Sequence, residues 1–179
     1  GLLGAGMIGK GVISNLRGKD LEIYVFDPFL PDEKAKELGV TKASLDFIFE
    51  HCNVISNHLA NNADTVGMIN KRHFDLMGAY ATFINTGRGA QVVESDMIAA
   101  LKEVPTRTAI LDVTDPTEPP IANSELYKME NVILTPHICG SIGNEYHRLA
   151  EYMFDEFVAY VSGQPQKYEV TAQMLKTMA

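Results

Sequence analysis

Three features that mark other protein classes are scarce in this sequence: cysteine, clustered positive charge and long apolar segments. Only two cysteines occur among the 179 residues, Cys52 and Cys139. They lack the CxxC spacing of a zinc site and are too few for a disulfide framework. We therefore expect no bound metal and a reducing, cytoplasmic location.

Basic residues are outnumbered and dispersed, with 15 Lys and Arg against 23 Asp and Glu and a net charge of −8. A nucleic-acid-binding protein needs clustered Lys and Arg that displace counterions from phosphates. No apolar run reaches the roughly 18 residues needed to cross a bilayer, and no basic leader precedes the apolar start. We expect neither nucleic acid nor a membrane to be a main partner. The opening at Gly1 inside an apolar run predicts a fragment of a longer chain.

The sequence does contain short strand-like and helix-like segments that alternate along the chain. This alternation predicts an α/β fold, a doubly wound parallel sheet in three layers with helices on both faces. The predicted strands cover residues 1–3, 21–26, 53–56, 81–85, 108–113 and 131–135. The predicted helices cover residues 7–16, 32–38, 44–49, 71–77, 94–103 and 144–161.

A GxGxxG run, GAGMIG, lies between the first predicted strand and the first predicted helix. In this position Gly4 permits a tight turn, Gly6 lets the backbone approach a pyrophosphate, and Gly9 lets helix and strand pack closely. The positive end of the helix faces the pyrophosphate charge. The alternative is a turn that is merely rich in small residues.

Asp27 lies 21 positions after Gly6, at the end of the second predicted strand. A carboxylate there accepts both hydrogens of the adenine ribose diol and repels a 2′-phosphate, which favours NAD over NADP. The alternative is that Asp27 simply begins a turn with Pro28.

Polar side chains also follow three later strands, where ligands of open parallel sheets bind. Arg88 lies between two glycines and has the geometry to clamp a carboxylate, although an arginine in a loop is often only a surface residue. Asp112 lies at the end of the next predicted strand, with Asp115 and Glu118 in the loop beyond it. His137 follows the last strand. The pattern predicts an imidazole and a carboxylate on adjacent loops.

In chain order the segments GAGMIG, YVFDP, INTGRG, LDV with EPP, and TPHI resemble the D-isomer-specific 2-hydroxyacid dehydrogenases over nearly the whole chain. The resemblance implies a Rossmann-type NAD-binding domain over residues 1–162. It also implies a carboxyl-terminal arm, residues 163–179, that returns to a substrate domain outside this sequence. The implied reaction moves a hydride between NAD(H) and a small 2-keto or 2-hydroxy acid of D configuration, in a homodimer.

The resemblance also implies a role for each candidate residue. Arg88 binds and polarises the keto acid, His137 is the general acid and base, and Glu118 hydrogen-bonds that histidine. Asp112 orients the nicotinamide, with a polar strand cap as its alternative. One extra residue between Asp112 and the Glu-Pro pair leaves Asp115 as an alternative partner of the histidine.

Further residues belong to the implied cofactor site, and two departures from the family pattern affect it. Met7 stands where many relatives have a basic residue, so backbone amides and the helix end must hold the pyrophosphate. His58 remains from a His-x-Pro segment whose proline is absent, and it lines the adenine side or is structural. The full implied cofactor set is Gly4, Gly6, Met7, Ile8, Gly9, Asp27, His58, Thr86, Gly87, Asp112, His137 and Gly140. Cys139 is read as a small packing residue.

Two other functions fit the same pattern. Some relatives of this fold are NADH-sensing corepressors or scaffold proteins. Phosphite dehydrogenases keep a set of residues comparable to Arg88, Glu118 and His137. Formate dehydrogenases resemble a pattern with an amide at the place of Glu118, so they are disfavoured. Turnover of a keto acid separates these alternatives.

Overall fold

The computed structural model describes residues 1–176 and divides the chain into two units, Gly1–Pro136 and His137–Ala179. The first unit contains seven strands: β1 (Leu2–Leu3), β2 (Tyr24–Phe26), β3 (Thr41–Lys42), β4 (Val54–Asn57), β5 (Thr82–Asn85), β6 (Thr108–Leu111) and β7 (Val132–Leu134). Its helices are α1 (Met7–Leu16), α2 (Asp32–Leu38), α3 (Leu45–His51), α4 (Lys71–Leu76) and α5 (Glu94–Glu103). Short 3₁₀ turns cover Gly89–Gln91 and Glu125–Lys128.

The seven strands form one sheet in the order β3-β2-β1-β4-β5-β6-β7. Every neighbouring pair is parallel. The carboxyl ends of all strands therefore lie along one edge of the sheet, here called the carboxyl edge, and their amino ends lie along the opposite amino edge. Strand order reverses between β1 and β4, the point at which such sheets bind ligands. The prediction of a doubly wound parallel sheet is confirmed.

The side chains of successive strand residues point to opposite faces, and each face has its own core. Leu3 joins the larger core, which α3, α4 and α5 cover, while Leu2 joins a smaller core with α1 and α2. Three fully buried rings, Phe49, Phe74 and Phe83, lie in the larger core. Phe74 packs edge-on against Phe49 and Phe83, with ring centroids 5.8 and 5.4 Å apart. Each buried ring contributes about 1.5–3 kcal/mol of transfer free energy.

Local signals set the helix boundaries. The Ser44 hydroxyl accepts a hydrogen bond from Phe47 N (3.1 Å) at the start of α3, and Gly39 ends α2 with a left-handed φ of 71°. The three helices α1, α2 and α5 have the predicted bounds. The second strand begins at Tyr24 and not at Leu21. The strand β3 escaped prediction because its two side chains are exposed and show no apolar alternation.

The second unit contains one long helix, α6 (Glu145–Val161), and a 3₁₀ turn at Met174–Lys176. The carboxylate of Glu156 accepts hydrogen bonds from Lys167 N and Tyr168 N, both 3.0 Å, which fixes the start of the tail against α6. The last three residues of the predicted arm lie outside the described residues. None of the helices in residues 1–176 combines the length and apolar character that a membrane-spanning segment requires.

Candidate functional site

The predicted site residues of the first unit follow strands at the carboxyl edge. Because all strands are parallel, the loops after β1, β2, β4, β5 and β6 begin on the same side of the sheet. Those strands end at Leu3, Phe26, Asn57, Asn85 and Leu111. The glycine turn, Asp27, His58, the Arg88 loop and Asp112 are therefore placed along one edge.

Two glycines interlock the turn after β1 with the start of α1. Gly4 has a φ of 92°, in the region that favours glycine, and a Cβ on it would lie 2.7 Å from His58 O. A Cβ on Gly9 would lie 2.1 Å from Gly4 O. These are the tight turn and the close helix–strand packing that the sequence predicts for the two positions.

The space beside Gly6 fits the pyrophosphate of a dinucleotide. A Cβ on Gly6 would meet no atom within 4 Å, although Gly4 and Gly9 on either side are crowded. Gly6 is the N-cap of α1 and supplies no side-chain cap, and the first turn of this helix has no acidic residue. The N–H groups and the positive dipole end of α1 thus remain suited to an anion. Met7 and Ile8 are exposed beside this space.

Asp27 holds the glycine turn in place. Its Oδ2 accepts a hydrogen bond from Ala5 N (2.7 Å), and its Oδ1 accepts one from Phe29 N (2.8 Å). The second bond closes a turn at Pro28, so Asp27 also has the turn-forming role that was the alternative interpretation. A carboxylate has about four acceptor positions, so these two bonds leave capacity for a ribose diol.

The Arg88 loop is fixed by hydrogen bonds at its backbone while its side chain is exposed. Gly87 N donates to Asn85 Oδ1 (3.1 Å), and Asn85 Nδ2 donates to Arg88 O (3.1 Å). The guanidinium uses one donor on Gly87 O (2.8 Å). A Cβ on Gly89 would lie 2.1 Å from Thr114 O. The loop after β5 therefore packs directly against the loop after β6, which carries Asp115 and Glu118.

Three buried amide side chains, Asn57, Asn85 and Gln91, form a hydrogen-bonded group that sequence reasoning missed; we call it the amide cluster. Asn57 Nδ2 donates to Asn85 Oδ1 (2.9 Å) and to Gln91 Oε1 (2.7 Å). The exposed fraction of each residue is 0% or 1%. The two-residue period of strands was a usable signal, because it places Asn57 on the face of buried Ile55 and Asn85 on that of buried Phe83.

His58 is the first residue of the loop after β4, and its ring reaches the loop after β5. Its Nε2 is 2.9 Å from Ser56 Oγ, and its Nδ1 is 3.4 Å from Thr86 Oγ1. Burial lowers the pKa of His58 below its ordinary value, so the imidazole is neutral at pH 7. This ring connects two of the loops at the carboxyl edge.

Asp112 joins three neighbouring strands at the carboxyl edge. Its side chain is buried, and its Oδ1 accepts a hydrogen bond from Thr135 Oγ1 at 2.5 Å. Its backbone N–H donates to Asn85 O (3.0 Å). The carboxylate is therefore bonded to the segment that follows β7.

Asp115 and Glu118 are both exposed in the loop after β6. Glu118 Oε2 accepts a hydrogen bond from Thr114 N (3.4 Å). Burial raises the pKa of the nearby Glu94, the charge of Asp115 adds to that rise, and a backbone hydrogen bond at Asp115 opposes it. Asp115 therefore lies on the Glu94 side of this loop.

His137 and Gly140 belong to the second unit, where both are exposed. His137 comes three residues after the end of β7 and has a φ of 52°. Few residues other than glycine adopt this left-handed conformation, and such conformations cluster at functional sites. Cys139, two residues further, is also exposed.

Comparisons with known proteins show the family to which the sequence is similar. A family model described as D-isomer specific 2-hydroxyacid dehydrogenase, NAD binding domain, matches residues 1–139. The glyoxylate reductase of Thermococcus litoralis is 31% identical over 92% of this chain and 49% of its own length. A D-3-phosphoglycerate dehydrogenase of Bacillus subtilis is 30% identical over 92% of this chain and 31% of its own length.

The fold is also shared with solved structures. The apo D-mandelate dehydrogenase of Rhodotorula graminis has a TM-score of 0.83 and 26% identity, and the match covers 95% of this chain and 50% of that chain. The chain thus spans about half the length, or less, of the relatives it matches.

Proposed function

Because this chain belongs to the D-isomer specific 2-hydroxyacid dehydrogenases and matches their NAD-binding domain, we propose that it forms the cofactor-binding half of an NAD-dependent oxidoreductase. The reaction moves a hydride between NAD(H) and a small 2-keto or 2-hydroxy acid of D configuration. One observation carries the proposal: the glycine turn, Asp27 and the Arg88 loop all follow strands at one edge of the sheet.

The residues that hold the cofactor in this proposal are those of the implied set. The open space at Gly6 takes the pyrophosphate, Asp27 takes the adenine ribose, and Asp112, with Thr86 and Gly87 nearby, orients the nicotinamide. The negative charge of Asp27 disfavours a 2′-phosphate, which supports NAD over NADP. When bound, the reduced cofactor supplies a hydride to the carbonyl carbon of the acid.

Arg88 binds the substrate acid. A guanidinium has five N–H donors in a planar fork that fits a carboxylate, and within residues 1–176 one of them is engaged, on Gly87 O. Its positive charge also stabilises the negative charge that develops on the carbonyl oxygen. The exposure of the side chain and the fixed backbone of the loop support this role.

His137 is the proton donor to the oxygen of the reduced carbonyl, and in the reverse direction its neutral imidazole takes the hydroxyl proton. Glu118 is the proposed partner of its ring, with Asp115 as the alternative. A carboxylate beside an imidazole stabilises the protonated form. Support comes from the resemblance of LDV with EPP and of TPHI to the family pattern.

The experiment follows NADH oxidation by the complete protein that carries these residues, with pyruvate, glyoxylate, hydroxypyruvate, phosphohydroxypyruvate and longer 2-keto acids. We expect turnover of at least one acid and a fall in kcat of about 10²–10⁴-fold in His137→Gln. Glu118→Gln and Asp115→Asn form a matched pair, and the larger loss identifies the partner of the histidine.

Tight NADH binding without turnover of any keto acid would contradict the proposal. It would favour a sensing corepressor, a scaffold protein or a phosphite dehydrogenase, and phosphite as substrate separates the last of these. A preference for NADPH would contradict the assignment of Asp27, which Asp27→Ser with both cofactors tests directly.

The proposal also includes the assembly. Residues 163–179 form an arm that returns to the substrate domain, two copies pair through the NAD-binding domain, and the protein works in the cytoplasm. Sedimentation of the complete protein, with and without this arm, tests the first two points. A monomer would contradict the homodimer.

A further inference from the structure

Gln91 uses its whole hydrogen-bonding capacity between two loops of the carboxyl edge. Its Oε1 accepts from Arg88 N (3.1 Å) and from Asn57 Nδ2 (2.7 Å). Its Nε2 donates to Leu59 O (2.9 Å) and Ala60 O (3.0 Å). The side chain thus joins the loop after β5 to the loop after β4.

The rest of the amide cluster holds the same two loops. Asn57 Oδ1 accepts from Leu59 N (3.2 Å), and Asn85 Nδ2 donates to Arg88 O (3.1 Å). Both the N–H and the C=O of Arg88 are therefore bonded to buried side chains, one to Gln91 and one to Asn85. The backbone N–H of Gln91 also donates to Arg88 O (3.4 Å), so Gln91 binds the Arg88 backbone on both sides.

The amide cluster is an inefficient way to stabilise the fold. Burial of an amide is unfavourable unless each donor and acceptor is paired, and apolar side chains of similar shape often serve a core as well or better. An apolar side chain cannot, however, hold the Arg88 N–H in one direction. The directional bonds are what the amides add at this place.

We propose that Gln91, with Asn57, is a positioning residue that sets the place of Arg88 relative to the loop carrying His58. The inference rests on the proposed function, in which Arg88 binds the carboxylate of the acid. Gln91 acts through the Arg88 backbone and contacts neither acid nor cofactor. Removal of its bonds lets the guanidinium shift, and a shift of about 1 Å can lower the rate by about 10²-fold.

The test replaces both buried amides by apolar residues of similar size, in the double variant Asn57→Leu with Gln91→Met. Replacing both residues removes the hydrogen bond between them without leaving half of it unpaired, and Asn85 keeps its bonds to Gly87 N and Arg88 O. The control is Asn131→Leu, which removes two side-chain hydrogen bonds, to Leu101 O (3.0 Å) and Arg107 O (2.8 Å), at the amino edge.

We expect the double variant to raise KM for the keto acid about tenfold or more, with the Kd for NADH changed less than about twofold. Substitution of a residue with a merely structural role lowers the folded fraction and hence the apparent kcat, and it leaves KM unchanged. Asn131→Leu should show that second pattern. An unchanged KM in the double variant, with the wild-type protein active, would overturn the inference.

Hydrogen exchange of single amides, followed by NMR, separates this inference from the proposed function. We expect the Arg88 amide to exchange about tenfold faster in the double variant because its acceptor is lost. The Gly87 amide, which Asn85 holds, should change much less. If the wild-type protein reduces no keto acid, the proposed function fails while the positioning of Arg88 is still decided by exchange. An unchanged rate at Arg88 would overturn the inference in either case.

Discussion

Side chains bind backbone carbonyl groups at both edges of the sheet, but they bind different parts of the chain. At the amino edge, Asn131 binds Leu101 O and Arg107 O, and the Arg107 guanidinium binds Asp75 O (3.2 Å) and Met77 O (2.5 Å). Leu101 and Asp75 lie in α5 and α4, and Met77 is the C-cap of α4. Side chains here secure helices to the start of strands.

At the carboxyl edge the amide cluster binds loop backbone in place of helix ends. Its backbone partners are those of Leu59, Ala60, Gly87 and Arg88, and the cationic side chain of Arg88 is exposed. We expect the polar bonds at the amino edge to serve stability and, under the proposed function, those at the carboxyl edge to fix the place of Arg88. Mutations at the two edges should therefore affect different measurements.

The largest effect is expected from Arg88→Gln. We predict a fall in kcat/KM for the keto acid of about 10²–10³-fold, because a donor to developing negative charge is lost. The free energy of unfolding should change by less than about 0.5 kcal/mol, since the side chain is exposed. Steady-state kinetics and urea unfolding measure both. Arg17→Gln, another exposed arginine, is the control and should leave kcat/KM unchanged.

Asn131→Leu, at the amino edge, should have the opposite pattern, with lower stability and unchanged binding of substrate. Two backbone carbonyls lose their partner, which lowers the free energy of unfolding by about 1–3 kcal/mol. KM for the acid and Kd for NADH should stay at their wild-type values. A changed KM in this variant would break the division between the two edges.

Gly6→Ala should weaken NADH binding about tenfold, with a loss of stability of about 1 kcal/mol or less at this N-cap position. The new methyl group has open space in the protein, but it occupies the place where the pyrophosphate approaches the backbone. Gly11→Ala in the same helix also meets no atom within 4 Å. That control should bind NADH normally and gain about 0.5–1 kcal/mol of helix stability. Fluorescence titration and thermal unfolding of both variants provide the check.

The smallest effect concerns pH and His58. Burial lowers its pKa in the folded state, so its stabilising contribution is present above the unfolded-state pKa of about 6.5 and is lost as pH falls through the folded-state value. We expect Tm to fall on acidification from pH 7, and to fall less in His58→Gln. Burial also lowers the pKa of His73, opposed by Asp46, and that contribution remains in the variant.

The fold was largely predictable because it depends on local signals. Apolar strands between capped helices indicated the parallel sheet. The interval from Gly6 to Asp27 indicated the glycine turn, which in the structure is held by the hydrogen bond from Ala5 N to Asp27. β3 was not predictable, because its two exposed residues gain strand structure only by pairing with β2.

The candidate site was predictable in part. Residues whose chemistry is visible in isolation, such as Arg88, Asp112 and His137, were named from the sequence. The amide cluster was missed because an asparagine or glutamine has no distinctive chemistry until its partners are known. Asn57 and Gln91 are 34 positions apart, and only the pairing of β4 with β5 brings them together.

The amide cluster also bears on how such a chain can change during evolution. Positions 57 and 91 form a linked pair, because an apolar residue at either position removes the hydrogen bond from Asn57 Nδ2 to Gln91 Oε1 and leaves the buried amide at the other position with fewer partners. That single-step intermediate is less stable by about 1–3 kcal/mol, a large part of the margin of a typical domain. Evolution from amides to apolar residues at positions 57 and 91 thus proceeds most readily when both change together. Recombination between related genes does this when it replaces the segment from β4 to Gln91 as one piece.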